Sequence, residues 1–341
     1  MNAVLSLVAV LALVGLAVLG VEAGGLYSLF GVIVPYIAIV LFLGGLIFRV
    51  LGWAKSPVPF RIPTTCGQQK SLPWIKSSKY DNPYTGFGVL VRMALEILFF
   101  RSLFRNTKTQ IAEGDKVTYG PTKWLWMGAI AFHYSFLVFF IRHLRFFTEP
   151  IPFFVDLLQT VDGFMQVGVP VFYMTSLIFF GALGYLLLRR LAIPQVRYIS
   201  LVNDYFPLFL LLGIATTGIL LRHFVKTDVV GIKELTLGLL SFQPAITEGV
   251  HWLFYVHLFL VCTLLAYFPF SKLMHLAGVF MSPTRNLANN SRMVRHINPW
   301  NAPVKVHTYE EYEDDFRDKM VAAGLPVDKQ PEPKPAQAEK E

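Results

Sequence analysis

The stretch AFHYSFLVFFIRHLRFF, residues 131–147, decides the architecture. It is apolar and aromatic, yet it carries two imidazoles, His133 and His143, ten residues apart. The chain around it is 54% hydrophobic and only 15% charged, with a mean hydropathy of +0.51, a balance that water-soluble domains do not show. Crossing the hydrocarbon core of a bilayer takes about 20 mostly apolar residues as helix. Six stretches qualify: roughly 3–21, 30–51, 124–147, 165–188, 205–222 and 250–270. The fold class is therefore all-α, a polytopic membrane helix bundle with six transmembrane helices. The first stretch reads as a retained span, because no Lys or Arg precedes Arg49 and a cleavable signal needs a basic leader.

Four regions follow along the chain. Residues 1–52 hold two spans, 53–123 form a polar connection, 124–285 form a four-helix domain and 286–341 are a tail. In the connection, Arg92, Glu96, Arg101 and Arg105 interrupt apolar residues at helical spacing, which predicts an amphipathic helix over 85–104 lying on the membrane. The tail from Gln330, rich in proline and charge, reads as disordered. Basic residues are retained on the cytoplasmic side. Residues 53–123 carry eleven Lys and Arg against four acids, and Arg189, Arg190, Arg197, Lys272, Arg285, Arg292 and Arg295 follow the fourth and sixth spans. On the other side, the few basic residues are matched by acids. This pattern places the chain in the cytoplasmic (inner) membrane with both termini inside. It also assigns the net charge of +8 to lipid headgroups and not to nucleic acid.

Two cysteines, Cys66 and Cys262, cannot build an iron–sulfur cluster, and no C-x-x-C-H motif attaches a haem covalently. Any redox group must hang on other ligands. Imidazoles inside apolar spans are costly unless something satisfies them, and four of the eight histidines form a pattern. His133 and His143 lie about 15 Å apart along the third span. His257 and His275 are separated by eighteen residues in the sixth span and its extension, five helical turns, and so share a face. The third span runs outward and the sixth inward. His133 is thus level with His275 near the cytoplasmic side, and His143 with His257 near the outer side. A planar cofactor held between helices by one histidine from each suits haem, which places haem sites between the third and sixth helices. Ideal rise would put His257 and His275 about 27 Å apart, and Pro269 is the residue able to bend or end that helix. Zinc fits less well, for want of further ligands at either pair. His223 and His251 remain interfacial, hydrogen-bonding or quinone-site candidates, and His296 and His307 belong to the tail.

With the His133 to His143 spacing, the basic block RRLAIPQVR at 189–197 and the run ending FPFSKLMH at 268–275, the sequence resembles the gamma subunit family of respiratory nitrate reductases, membrane cytochromes b with two haems. The resemblance covers roughly residues 30–295. It implies the same four axial iron ligands, His133 with His275 and His143 with His257. Within that family, RIPTTCGQQKSLPWIKSSKYDNP at 61–83 and the extra first span look like the DsrM-type haem subunits of DsrMKJOP complexes in dissimilatory sulfur metabolism. That likeness implies menaquinone as diffusible redox partner, a cytoplasmic iron–sulfur subunit of DsrK type as neighbour, and DsrJ-, DsrO- and DsrP-like subunits beyond it. The lysine used by the nitrate-reductase branch for quinone contact has no counterpart, since none occurs between Lys123 and Lys226, and Gln159 and Asp162 occupy that region.

The expectation is a dihaem electron-transfer subunit of a quinone-linked oxidoreductase complex, with no catalytic residue of its own. Arg142, Arg222 and His223, polar groups at the outer ends of apolar spans, are candidate quinone neighbours. The alternatives are a transporter or proton channel with a histidine relay and a non-redox membrane anchor.

Overall fold

The structure, a computed structural model, describes residues 1–56, 58, 61, 67–105, 108–165, 170–225, 227–293 and 303–329. Pro57, Pro59, Pro63, Cys66, His296 and the tail from Gln330 lie outside them. The chain forms two units, Met1–Arg295 and His296–Glu341.

In the first unit, α1 (Asn2–Val18) and α2 (Val34–Ala54) are followed by α3 (Gly86–Phe99), α4 (Arg101–Phe104) and a hairpin of β1 (Lys108–Ala112) and β2 (Lys116–Gly120). Then come α5 (Lys123–His143), α6 (Phe153–Asp162), a short antiparallel pair of β3 (Gly163–Met165) and β4 (Phe172–Tyr173), and α7 (Met174–Ala192). The unit continues with α8 (Pro194–Ile199), α9 (Val202–Ile219), α10 (Val229–Leu240), α11 (Trp252–Tyr267) and α12 (His275–Gly278). Among the described residues, six helical stretches are long and apolar enough to cross a membrane: Asn2–Ala23, Leu29–Ala54, Lys123–Phe146, Met174–Ala192, Val202–Phe224 and Trp252–Phe270. Large apolar side chains such as Val40, Phe48, Phe140 and Leu177 stand exposed on their outer surfaces, as lipid contact requires.

The centre of the bundle is α11, packed against α1, α2 and α9, while α5 packs on α7. Its Leu253, Phe254, Tyr255, Val256, Leu260 and Cys262 are all buried, and a helix surrounded by helices has no polar face to keep. Glycines set its closest approaches. A Cβ on Gly45 of α2 would lie 2.6 Å from the Cβ of Pro269, whereas one on Gly44 would meet nothing within 4 Å. Gly45→Ala is therefore expected to destabilise the bundle by about 1–3 kcal/mol through overpacking. Gly44→Ala, which adds helix propensity in open space, should be neutral or stabilising. Thermal unfolding of the two variants in detergent checks the contrast.

The structure corrects two expectations. The fourth span begins at Met174 and not near residue 165, because the chain first pairs β3 with β4 and turns past Pro170. The amphipathic segment is broken at Phe100, whose φ of 50° ends α3 in the left-handed region and starts α4 in a new direction. Its polar residues meet the preceding loop and the segment after α12: Asp81 accepts from Arg101 at 3.3 Å and Arg105 at 3.2 Å, and Glu96 from Arg285 at 3.0 Å. The connections also hold order that apolar periodicity does not reveal, namely α6, α8, α10 and the β1–β2 hairpin.

In the second unit, α13 (Tyr309–Ala322) starts at a capping box in which Thr308 and Glu311 satisfy each other's backbone N–H groups. Glu313 is buried and accepts the N–H groups of Asp328 and Lys329 at 2.7 and 2.8 Å. Those backbone bonds hold its carboxyl below the ordinary glutamate range.

Candidate functional site

The third and sixth membrane-length helices are antiparallel neighbours through their histidines. His133 and His275 have ring centres 5.9 Å apart with planes at 84°. His143 and His257 have ring centres 6.5 Å apart with planes at 12°. The difference in helical rise is absorbed at the end of α11. Phe268–Phe270 tighten into a 3-10 turn containing Pro269, Ser271 is fully extended at φ −122° and ψ 179°, and a second 3-10 turn, Lys272–Met274, leads to His275. The helix axis therefore stops short of His275, which meets His133 without the full ideal rise.

All four rings make their hydrogen bonds, among the described residues, through Nδ1. That of His133 faces the Ala129 carbonyl at 2.8 Å, that of His143 the Phe139 carbonyl at 2.7 Å and that of His275 the Lys272 carbonyl at 2.9 Å. That of His257 faces the Thr217 hydroxyl at 2.9 Å. A carbonyl only accepts, so those Nδ1 atoms carry the proton and Nε2 keeps its lone pair, the tautomer of a metal-binding imidazole whose other nitrogen is oriented by an outer partner. An imidazole nitrogen sits about 2 Å from a metal it binds, so two rings on opposite sides of one iron have centres about 6 Å apart. Both pairs match that spacing and fit axial ligation of haem. No cluster of three or more His, Cys, Asp or Glu suited to a metal ion occurs among the described residues.

Neighbouring elements hold the pairs in place. Phe100, at the α3–α4 break, and Phe132 set ring edges on His133 at 4.9 and 5.0 Å. Lys272, whose carbonyl orients His275, is itself tied to Asp204 at the start of α9 by a 2.6 Å ion pair. A Cβ on Gly218 would lie 3.3 Å from Cε1 of His257, so a glycine lets α9 come close to that ring.

Arg142, Arg222 and His223 gather around β4. Arg142 makes a buried 2.8 Å ion pair with Asp162, each side chain 8% exposed, and Asp162 also accepts from the Thr175 N–H at 2.9 Å. The guanidinium carbons of Arg142 and Arg222 lie 3.8 and 4.3 Å from the Tyr173 ring centre, and His223 stacks on Phe172 at 4.1 Å. Arg222 donates to the Val171 carbonyl at 3.1 Å. Gln159 accepts from Arg145 at 2.7 Å. His251 caps α11, its Nδ1 accepting from the Leu253 N–H at 3.2 Å, and His307 lies 3.9 Å from Glu311 within the second unit. The sequence reading missed Thr217, Gly218 and the Asp162–Thr175 partnership. For Thr217 the available signal was a polar residue inside an apolar span.

The chain is similar to known proteins over most of its length. The chain is 48% identical over 279 residues to the "Hdr-like menaquinol oxidoreductase cytochrome b-like subunit" of Archaeoglobus fulgidus, covering 80% of this chain and 83% of the relative. It is 45% identical over 273 residues to the protein of the same description from Archaeoglobus profundus, covering 78% and 81%. Residues 86–297, the stretch that contains all four paired histidines, match the nitrate reductase gamma subunit family, and the chain belongs to that family.

Proposed function

We propose that this protein is a membrane cytochrome b subunit that holds two haem b groups, one between His133 and His275 and one between His143 and His257, and carries electrons between menaquinol and a cytoplasmic iron–sulfur subunit. The observation that supports it most is that the four imidazoles form two pairs with ring centres 5.9 and 6.5 Å apart while each spends Nδ1 on an outer partner. Haem in such a site supplies a reversible one-electron store. The protein's own contribution is to fix the ligands on rigid helices, exclude water with the aromatic wall of Phe100, Phe132 and Phe146, and separate the two sites along the membrane normal.

The relatives' description as menaquinol oxidoreductase subunits supports the quinone partner and membership of a larger complex. We assign to that complex a DsrK-like neighbour and DsrJ-, DsrO- and DsrP-like subunits, a role in dissimilatory sulfur metabolism, and a cytoplasmic-membrane location with both termini inside. The quinone site lies at the His143–His257 end, where Arg142, Arg222 and His223 surround Phe172 and Tyr173. A reduced-minus-oxidised spectrum of the purified full chain, with haem extracted and counted, tests the reading. It should show b-type bands and about two haems per chain; a folded sample without b-type haem would overturn it.

A further inference from the structure

Three of the four histidines are oriented by backbone carbonyls of their own segment, and the fourth is not. His257 faces a side chain from a different helix, the Thr217 hydroxyl of α9. That hydroxyl has one proton, and it lies 2.9 Å from the Gly213 carbonyl and 3.0 Å from the Ile214 carbonyl, both of which can only accept. With its proton committed there, Thr217 meets His257 as an acceptor. His257 is therefore held as the Nδ1–H tautomer by a neutral oxygen whose own donor bond anchors it to α9, with the Ile214 carbonyl of α9 as a second, weaker backbone acceptor beside it. Thr217 is 7% exposed, so water does not replace this bond, and the adjacent Gly218 removes the side chain that would push α9 off the ring.

Resting on the dihaem reading above, we propose that Thr217 is the positioning residue of the His143–His257 site and the point at which the protein sets that site's properties independently of the other. A partner on the distal nitrogen of a ligating imidazole fixes the ring's rotation and raises its basicity, and loss of such a partner typically lowers affinity about 10–100-fold. A carbonyl partner cannot be removed by mutating the residue that bears it; a threonine hydroxyl can. The two pairs also differ in geometry, with ring planes at 12° in this one and 84° in the other. The relative orientation of two imidazoles on one iron would affect the splitting of its d orbitals, so the two pairs would give different low-spin ferric signatures if each held a haem.

The test compares the full chain with Thr217→Val and Thr217→Ser by haem content, redox titration of the b-type bands and electron paramagnetic resonance. Thr217→Val, which keeps the shape and removes the acceptor, should alter one site only. Either one of the two redox waves moves to more positive potential with a changed low-spin signal, or one haem per chain is lost through weakened binding; the other wave and signal stay as in wild type and certify the fold. Thr217→Ser should restore the wild-type pattern. Thr217→Val with both waves unchanged overturns the proposal, as does an equal change at both sites that serine fails to rescue. A wild-type chain that is folded and free of haem overturns the dihaem reading itself, and with it this one.

Discussion

Replacing His143 by alanine is expected to remove one haem per chain and leave the other with its spectrum and potential little changed. The two pairs share no ligand, and their members on α5 stand ten residues, about 15 Å, apart. That exceeds the separation of roughly 7–10 Å beyond which substitutions act independently. His143 is also a poor candidate for a structural role that would bring down the bundle, since its hydrogen bond among the described residues is to a carbonyl of its own helix. His275→Ala should give the mirror result, losing the haem that His143→Ala retains. Haem counted against protein, together with a redox titration, reads both variants. Retention of two haems in either would refute the pairing, and loss of both would mean that the sites fold as one.

Arg142→Ala is expected to cost about 3–5 kcal/mol, because it leaves Asp162 as an uncompensated buried charge. The pair is closed at 2.8 Å with both side chains 8% exposed, and Asp162 would retain only the Thr175 N–H and hydroxyl. Asp162→Ala should be costly in turn, and the double variant should lose less than the sum of the two, as coupled partners do. Unfolding of the four proteins in the same detergent measures the coupling. The cycle also bears on the proposed quinone site. If Arg142 serves mainly to organise β4 and α7, both single variants impair quinol oxidation alike. If its guanidinium touches quinone directly, Arg142→Ala does so far more than Asp162→Ala.

Much of the site could be read before the fold was known. The ten-residue interval between His133 and His143, and the antiparallel sense that loop charge imposes on the third and sixth spans, were enough to pair the four histidines. The pairs that face each other in the structure are those same pairs. The interval from His257 to His275 looked too long for this. What reconciles it is the extended Ser271 between two 3-10 turns, and Pro269 marked the place without giving the path. A proline shows where a helix stops, not the direction the chain takes next.

Residues from other helices were harder to see. Asp162 and Gln159 lie on α6, and nothing in their local pattern says that one closes on Arg142 and the other on Arg145. Thr217 is one hydroxyl in a long apolar run, and only the packing of α9 on α11 brings it to His257.

The sequence by itself determined the number of membrane-length helices, their alternating direction and the pairing of the histidines, because burial of apolar surface and the cost of buried imidazoles act along one helix at a time. The tertiary structure decided how the paired rings are inclined to each other, which partner each Nδ1 takes and which neighbours hold them, because those depend on how helices rotate and approach. That in turn is set by contacts such as Gly45 on Pro269 and Gly218 on His257, made between residues far apart in the chain.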